Sequence, residues 1–405
     1  MRILICSEQA PVPPANGVRL VVGALIRELA RRHQVRLLCF GAPNRDGNRI
    51  DGPPARIVEN SETRRWNVAS RLGRAILTGR PMHVDELQKA MRAPLEEELQ
   101  SHQPDVVHVM AEGLAGLGRH LADRAAVLVP QDAAHRLREA QAFEHKGLRR
   151  RLLLGEAERV KRFEADAYRH FNRIVVVTEE DRDALQALEP NLIVDVIPNG
   201  VDAEFFTPSG STQRRRTVVF HGVMNFAPNV RAAEYLATRV WPDVLRLRQD
   251  AELAIVGRAP VRKVRSLAAI RGVEVTGEVQ DVRPWLRGGG VYACPMLSGT
   301  GIKNKLLEAM ACGMACVATP LALRGMRAVP GRDLMVADGA DALATQIATV
   351  LDDDALAARL GQAAREYVRV EHDWAAVARS YEDVYAAAIR DACPTSRANT
   401  GREPH

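Results

Sequence analysis

Lys303, Lys305 and Glu308 stand close together in the stretch 294–319, Cys-Pro-Met-Leu-Ser-Gly-Thr-Gly-Ile-Lys-Asn-Lys-Leu-Leu-Glu-Ala-Met-Ala-Cys-Gly-Met-Ala-Cys-Val-Ala-Thr. Two lysines among glycines suit phosphate, because they add formal charge where the backbone can come close to a ligand. A carboxylate does the opposite chemistry: it accepts hydrogen bonds from hydroxyls and repels phosphate. Together they suit a ligand with both groups, such as a nucleotide sugar. Taken in isolation, the same loop reads equally well as an ordinary strand–loop–helix joint with solvated lysines.

The elements that must position these residues are legible on either side. An apolar strand, Gly290 to Cys294, enters a Pro/Ser/Gly-rich loop. Asn304 is expected as the N-cap of a short helix, Leu306 to Cys312, which Gly313 ends before a second strand. Such a helix start offers unpaired backbone N–H groups and a positive dipole end.

A chain of 405 residues exceeds one typical core, so two domains are expected. Hydrophobic residues make up 46%, enough for both. Aromatics are only 4%, which argues against a stacked-ring carbohydrate module and against a single-stranded nucleic-acid platform. A formal charge of +6 is mild, compatible with an anionic substrate or membrane surface and too diffuse for nucleic acid. Cys6, Cys39, Cys294, Cys312, Cys316 and Cys393 are scattered, without the pairs of a zinc site, and read as buried free thiols in a reducing cytosol. The N-terminus reads as a strand rather than a signal peptide, and no apolar run approaches the ~18 residues of a membrane span. A cytoplasmic location is expected.

In order, the chain reads as repeated α/β units. Strand Arg2 to Ser7, a loop to Gly17, a helix from about Val18 to Arg32 and strand Val35 to Phe40 form a βαβ unit. The helix places Val21, Leu25, Ile26 and Leu29 on one face. The first loop lacks the three-glycine signature of dinucleotide binders, which disfavours a Rossmann oxidoreductase. Residues 41–60 read as an exposed loop. Leu95 to His102 is helical, and strands follow at 104–110, 124–130, 174–178 and 194–198. The stretch 136–170 reads as a long charged helix with basic residues from Lys146 to Arg162 between Leu148, Leu152, Leu153 and Leu154. Such a helix can lie on anionic lipid; the preferred expectation is a solvated face with its leucine stripe on the core. His108 reads as a satisfied core histidine. After a turn at 199–202 and a polar linker at 208–216, strands recur at 217–222, 251–257, 273–276 and 290–294. Helices at 341–352, 354–371 and 374–392 and a disordered tail complete the chain.

Three stretches then carry a resemblance: Ile197-Pro-Asn-Gly-Val-Asp202 with Phe206-Thr-Pro208; Leu253-Ala-Ile-Val-Gly-Arg258 with Val275-Thr-Gly-Glu-Val279; and Leu307-Glu-Ala-Met-Ala-Cys-Gly313 with Val317-Ala-Thr319. In this order and spacing they resemble the retaining GT-B glycosyltransferases of the glycogen-synthase-like and mannosyltransferase-like group (family 4 type), over nearly the whole chain. The resemblance implies an α/β fold of two Rossmann-like parallel-sheet domains facing across a cleft. Residues 1–198 would form the acceptor-side domain and 199–373 the nucleotide-sugar donor domain. The helix 374–392 would cross back to the first domain, and 393–405 would be a disordered tail. It also implies Glu308 on the ribose hydroxyls, Gly301, Ile302, Lys303 and Asn304 on the donor, and the nucleobase near Gly277 to Val279. Two positions depart from the family. Thr300 stands where a second, sugar-contacting glutamate is usual, and Gly222 is followed by Val223 where a diphosphate-binding arginine is usual. Lys303, Lys305 or Arg258 can offset that charge, and the Gly-Ile-Lys-Asn-Lys wording resembles a subgroup with its phosphate lysine in the loop.

The implied activity is retaining transfer of a hexose-type sugar from a nucleotide-diphosphate sugar, UDP-sugar favoured, to a hydroxyl of a glycan, lipid-linked or small-molecule acceptor. Backbone N–H groups, a helix dipole and lysines would stabilise the leaving diphosphate. The phosphate itself can deprotonate the acceptor, so no cofactor, obligatory metal or paired carboxylates are needed. In the first domain Asp132 and His135 occupy the place where the family often carries a polar pair near the sugar; Asp132 as a simple N-cap is the alternative. Asn16 and Gly17 suit close backbone approach or a plain turn, and Glu8 and Glu112, with Asp132, are carboxylates for a cationic acceptor. The other readings are an epimerase or hydrolase of the same architecture and a catalytically silent nucleotide-sugar-binding protein. Peripheral membrane contact through 146–162 on the inner face of the membrane is the remaining partner expectation.

Overall fold

The computed structural model describes residues 1–11, 17–41, 54–58, 73, 75, 77–82, 84–143, 145–208, 216–299 and 301–393. Asn16, Thr300, most of the linker at 208–216 and the tail from 394 onward fall outside the described residues. The chain divides into two compact units, Met1–Pro198 with Val377 onward, and Asn199–Ala376.

The first unit is built on β1 (Arg2–Ser7), β2 (Gln34–Phe40), β3 (Ala55–Val58), β4 (Val106–Met110), β5 (Ala126–Gln131), β6 (Arg173–Val176) and β7 (Val194–Val196). All pairings are parallel, in the order β3-β2-β1-β4-β5-β6-β7. Runs such as Ile3–Cys6 and Ala126–Val129 are apolar without alternation and buried, as a parallel sheet covered on both faces requires. Helix Gly17–Ala30 buries Val21, Leu25, Ile26 and Leu29 against this sheet's core. β3 corrects the reading of 41–60 as loop: Leu37 to Phe40 pair with Ala55 to Val58. Its four residues are only half-buried at the sheet edge, so they carry little hydrophobic signal.

The charged stretch 136–170 is two helices, Ala134–Phe143 and Gly147–Ala167, separated where Gly147 takes φ +61°. The expected leucine stripe does not face the core. Leu148, Leu152 and Leu154 are exposed, and the buried face is formed by Ala157, Val160, Phe163, Ala167 and two glutamates, Glu156 and Glu164. The final helix, Trp374–Ala392, contributes Tyr381, Tyr385 and Ala388 to the first unit's core. His108 Nδ1 lies 2.6 Å from the Tyr385 hydroxyl and its ring stacks on Tyr381. Burial lowers its pKa to about 3. Its Nε2 is buried with no hydrogen-bond partner among the described residues, so the histidine is satisfied on one side only.

The second unit holds β8 (Thr217–His221), β9 (Glu252–Val256), β10 (Val273–Gly277), β11 (Val291–Cys294), β12 (Cys316–Ala318) and β13 (Met335–Val336). They are parallel in the order β10-β9-β8-β11-β12-β13, the doubly wound order with its switch point between β8 and β11. Register aligns His221 with Val256, and Val256 with Gly277, so these strands end along one edge. Helix Asn304–Ala311 makes the crossover from β11 to β12. It stops in a Schellman turn: Gly313 takes φ +71°, its N–H donates to Met310 O at 2.9 Å, and Met314 N–H donates to Ala309 O at 3.1 Å. The Arg365 guanidinium donates to Ala311 O at the same end. Gly361 lets helix Asp354–Glu371 come close, since a Cβ there would meet Gly313 O at 2.0 Å.

Five of the six cysteines are buried free thiols, and Cys393 is exposed. Among the described residues no helix is long and apolar enough to cross a membrane.

Candidate functional site

In the second unit, the carboxyl ends of β8, β9 and β10 and the loop after β11 bring together most of the residues singled out from the sequence. Gly222 and Gly257 follow β8 and β9 directly. A Cβ on Gly257 would lie 1.8 Å from Gly222 O, and one on Gly222 would meet the Asn229 amide at 2.7 Å. The two glycines therefore let adjacent strand exits touch. Gly277 closes β10 with φ +71° and open space around it, and Val279 just beyond is half-buried. Arg258 is half-buried, and its carbonyl accepts Met224 N–H at 2.9 Å.

The loop after β11 reaches the start of helix Asn304–Ala311 through Gly301, which takes φ +64°, and the buried Ile302. Lys303 occupies the N-cap position and Asn304 is the first helical residue, which corrects the expected cap. Lys303 has the non-helical backbone of a cap, φ −90° and ψ 88°, and the Asn304 carboxamide is engaged elsewhere, its Oδ1 accepting Asn199 Nδ2–H at 3.3 Å. No side chain caps the first turn from the N-cap position. Lys303 is buried and its ammonium donates to Gly301 O at 2.5 Å and Gly299 O at 3.4 Å, holding its own loop in shape.

Lys305 points to the end of β8. Its ammonium donates to Asn229 Oδ1, and Asn229 Nδ2–H donates to Val223 O at 3.0 Å. Burial lowers the Lys305 pKa below the usual lysine range, while Cys294 and Glu308 oppose the shift. The site thus carries its cation immediately behind Gly222-Val223. Glu308, at the start of the helix's second turn, is half-buried and meets His221 Nε2 at 2.7 Å. His221 is 6% exposed and packs edge-on against the buried Tyr292. Chemically, the edge offers glycine backbone, a helix N-terminus and Lys305 for phosphate, and a held carboxylate for hydroxyls.

Asp132 and His135 belong to the first unit, where a second polar cluster lies at the ends of β1, β4 and β5. Ser7 pairs with Met110, and Met110 with Val129, so Glu8, Glu112 and Asp132 all leave the sheet at that edge. Ala111 and Gln131 have φ +129° and +73° there, non-glycine residues in the left-handed half of the map. Such conformations cost about 1–3 kcal/mol each and collect at functional sites. A Cβ on Gly113 would meet Glu8 Oε1 at 2.1 Å, so glycine admits the Glu8 carboxylate to that turn. Burial raises the Glu8 pKa, with the Gly113 N–H opposing. Glu112 is pushed up to about 7, by burial first, with Arg138 opposing and Glu164, Glu8 and Glu156 reinforcing. His135 is buried with its Nδ1 2.5 Å from Glu164 Oε2, and Glu164 Oε1 also accepts Ala134 N–H at 2.7 Å. Gly17 is the first residue of its helix.

Three functional candidates had no signal in the sequence: His221, Asn229 and Glu164. Asn229 sits in an unremarked Ala-Pro-Asn helix start, and the other two make their contacts across 87 and 29 residues. Among the described residues no group of three or more His, Cys, Asp or Glu is placed to share a metal ion.

Two doubly wound units with this strand order define the GT-B class of fold. The chain has the GT-B fold of the family 4 and group 1 glycosyltransferases: residues 15–205 match the model described as Glycosyltransferase Family 4, and 215–353 that of Glycosyl transferases group 1. Among curated proteins it is similar to a phosphatidyl-myo-inositol mannosyltransferase of Mycolicibacterium smegmatis, 35% identical over 234 residues. That match covers 54% of this chain and 58% of the relative's length. Among solved structures it superposes on a sucrose-phosphate synthase of Thermosynechococcus elongatus with TM-score 0.74 at 15% identity, covering 96% of this chain and 100% of the other. It also superposes on Anabaena HepE in complex with UDP, with TM-score 0.65 at 14% identity over 96% and 100% of the two chains.

Proposed function

We propose that the protein is a metal-independent, retaining glycosyltransferase. It moves a hexose-type sugar from a nucleotide-diphosphate sugar, UDP-sugar favoured, to a hydroxyl of a glycan, lipid-linked or small-molecule acceptor. The observation that carries this reading is the edge at β8 and β11, where a buried lysine, an uncapped helix start and a held carboxylate meet. The helix start and Lys305 bind the diphosphate and stabilise it as it leaves. Glu308 accepts the ribose hydroxyls, and the base lies near Gly277 to Val279. Lys305, with Arg258 near the β9 exit, supplies the charge that Val223 does not. Lys303 shapes the loop that supplies Gly301, Ile302 and Asn304. The likeness to a UDP-bound fold relative supports the nucleotide, and the mannosyltransferase likeness supports a hydroxyl acceptor on a lipid.

In the first unit, Asp132, His135, Glu8 and Glu112 serve the acceptor. The exposed Phe143, Leu148 and Leu152 stand among the exposed Lys146, Arg149, Arg150 and Arg151. This mixture suits peripheral contact with an anionic membrane surface from the cytoplasmic side. A catalytically silent binding protein is the second reading, favoured by Val223 at the usual arginine position.

The test is a thermal-shift screen of UDP, GDP, dTDP and ADP sugars, repeated on Glu308→Ala. A shift that the variant loses supports the site, and equal binding by the variant refutes it. Release of nucleoside diphosphate on adding acceptor identifies the transferase. Turnover to free sugar without acceptor identifies a hydrolase, and binding without turnover identifies the silent protein.

A further inference from the structure

The geometry points to His221 as the positioning residue that holds the Glu308 carboxylate for a ribose diol, and so as the source of a preference for ribonucleotides over 2′-deoxyribonucleotides. This rests on the reading of the β8–β11 edge as a nucleotide-sugar site. Among the described residues, the hydrogen-bond partner of the Glu308 carboxylate is His221, whose Nε2 lies 2.7 Å from Oε2. The imidazole has little freedom. It ends β8 at 6% exposure and packs at 61° against the ring of Tyr292, whose centroid is 5.4 Å away. Its Nδ1 is buried and has no hydrogen-bond partner among the described residues. A ring that carries its proton on Nε2 satisfies this arrangement, because Nε2–H then donates to Glu308 and Nδ1 keeps only a lone pair.

The constraint matters because Glu308 has a competing attraction. It is one of the charges that raise the proton affinity of Lys305. A carboxylate released from His221 can swing toward that ammonium and neutralise the charge meant for diphosphate. With Oε2 anchored, Oε1 and the remaining lone pair face a vicinal diol as two acceptors in fixed positions. His221 therefore separates the two chemistries of the site, the hydroxyl-binding carboxylate and the phosphate-binding amine.

The experiment is calorimetric titration of the full chain with UDP, GDP and ADP and with their 2′-deoxy counterparts. The proteins are wild type, His221→Phe, His221→Gln, Glu308→Ala and the His221→Phe/Glu308→Ala double variant. Wild type is expected to prefer the ribonucleotide by about tenfold or more, the worth of a hydrogen bond to a charged group. His221→Phe should lose most of that preference and bind the deoxynucleotide more weakly than wild type, because the freed carboxylate turns to Lys305; an unfolding midpoint close to that of wild type shows that it is folded. His221→Gln, which can still donate, should recover part of the preference, and the double variant should be no worse than Glu308→Ala. Full preference in His221→Phe alongside its loss in Glu308→Ala overturns the positioning role and leaves the site reading standing. Wild type that binds no nucleoside diphosphate, or Glu308→Ala with unchanged preference, overturns the site reading and this inference with it.

Discussion

His135 Nδ1 lies 2.5 Å from Glu164 Oε2, and both side chains are buried. Glu164 also accepts Ala134 N–H at 2.7 Å and the Tyr168 hydroxyl at 3.4 Å, so one carboxylate fixes a helix start, a histidine and a tyrosine. The carboxylate on Nδ1 thereby fixes the orientation of the imidazole. We predict that Glu164→Ala costs about 3–5 kcal/mol in urea unfolding, the usual loss when one member of a buried pair is removed. A cost below about 1 kcal/mol would show that the three groups do not depend on it.

Gly257 and Gly277 should respond differently to alanine. At Gly257 a Cβ meets Gly222 O at 1.8 Å on top of φ +145°, so both overpacking and strain apply. The combined loss is expected at about 2–5 kcal/mol. Gly277 has open space, and only its φ of +71° resists a side chain, for about 1–2 kcal/mol. Equal losses in denaturant titrations would contradict this account of the strand exits.

Stability should depend on pH through Glu112. Its folded pKa is raised to about 7, whereas in the unfolded chain it titrates in the ordinary carboxylate range. Between those values the folded state holds a proton that the unfolded state has released. Stability therefore falls as pH rises from about 4.5 to about 7, and levels off above. Glu112→Gln should flatten that part of the profile, read as unfolding free energy against pH for both proteins. A wild-type profile parallel to the variant's throughout the window would refute the assignment.

Lys305→Met keeps the volume of the side chain and removes its charge. The fold should survive, because burial of the ammonium already works against the lysine. Affinity for UDP should drop by about tenfold or more, and affinity for uridine should not change. A parallel loss for both ligands would mean that Lys305 shapes the site without touching phosphate.

The cationic tip at 146–152 gives a test that needs no substrate. Reversing Arg149, Arg150 and Arg151 to Glu should abolish sedimentation with phosphatidylglycerol vesicles, at about 1 kcal/mol per basic residue lost. Leu148→Asp should weaken it through lost insertion. Wild type that ignores these vesicles, or binds neutral phosphatidylcholine equally well, removes the case for anionic membrane contact.

The fold was legible where hydrophobic runs were long. Unalternated strands such as Ile3–Cys6 and amphipathic helices with glycine or proline stops can be read one residue at a time. β3 and β13 were not legible: one is a half-buried edge and the other has two residues, so their pairing partners define them. The leucines at 148, 152 and 154 show the limit of periodicity, which identifies an apolar stripe without saying whether anything covers it. The same limit governs the sites. Glu308, Lys303 and Lys305 stand within one loop and helix, whereas His221 and Glu164 acquire meaning only when distant segments meet.

The last helix carries a consequence for how the molecule is made. Tyr381 and Tyr385 complete the core around His108, in a strand laid down far earlier in the chain. The unit that begins first on the ribosome is therefore finished last. Residues 199–376, continuous in sequence, can close their own core while the earlier sheet still waits for its tyrosines. During that interval the surface around His108 lies open, and a chain halted before Val377 has the sheet but lacks the side chains that close it.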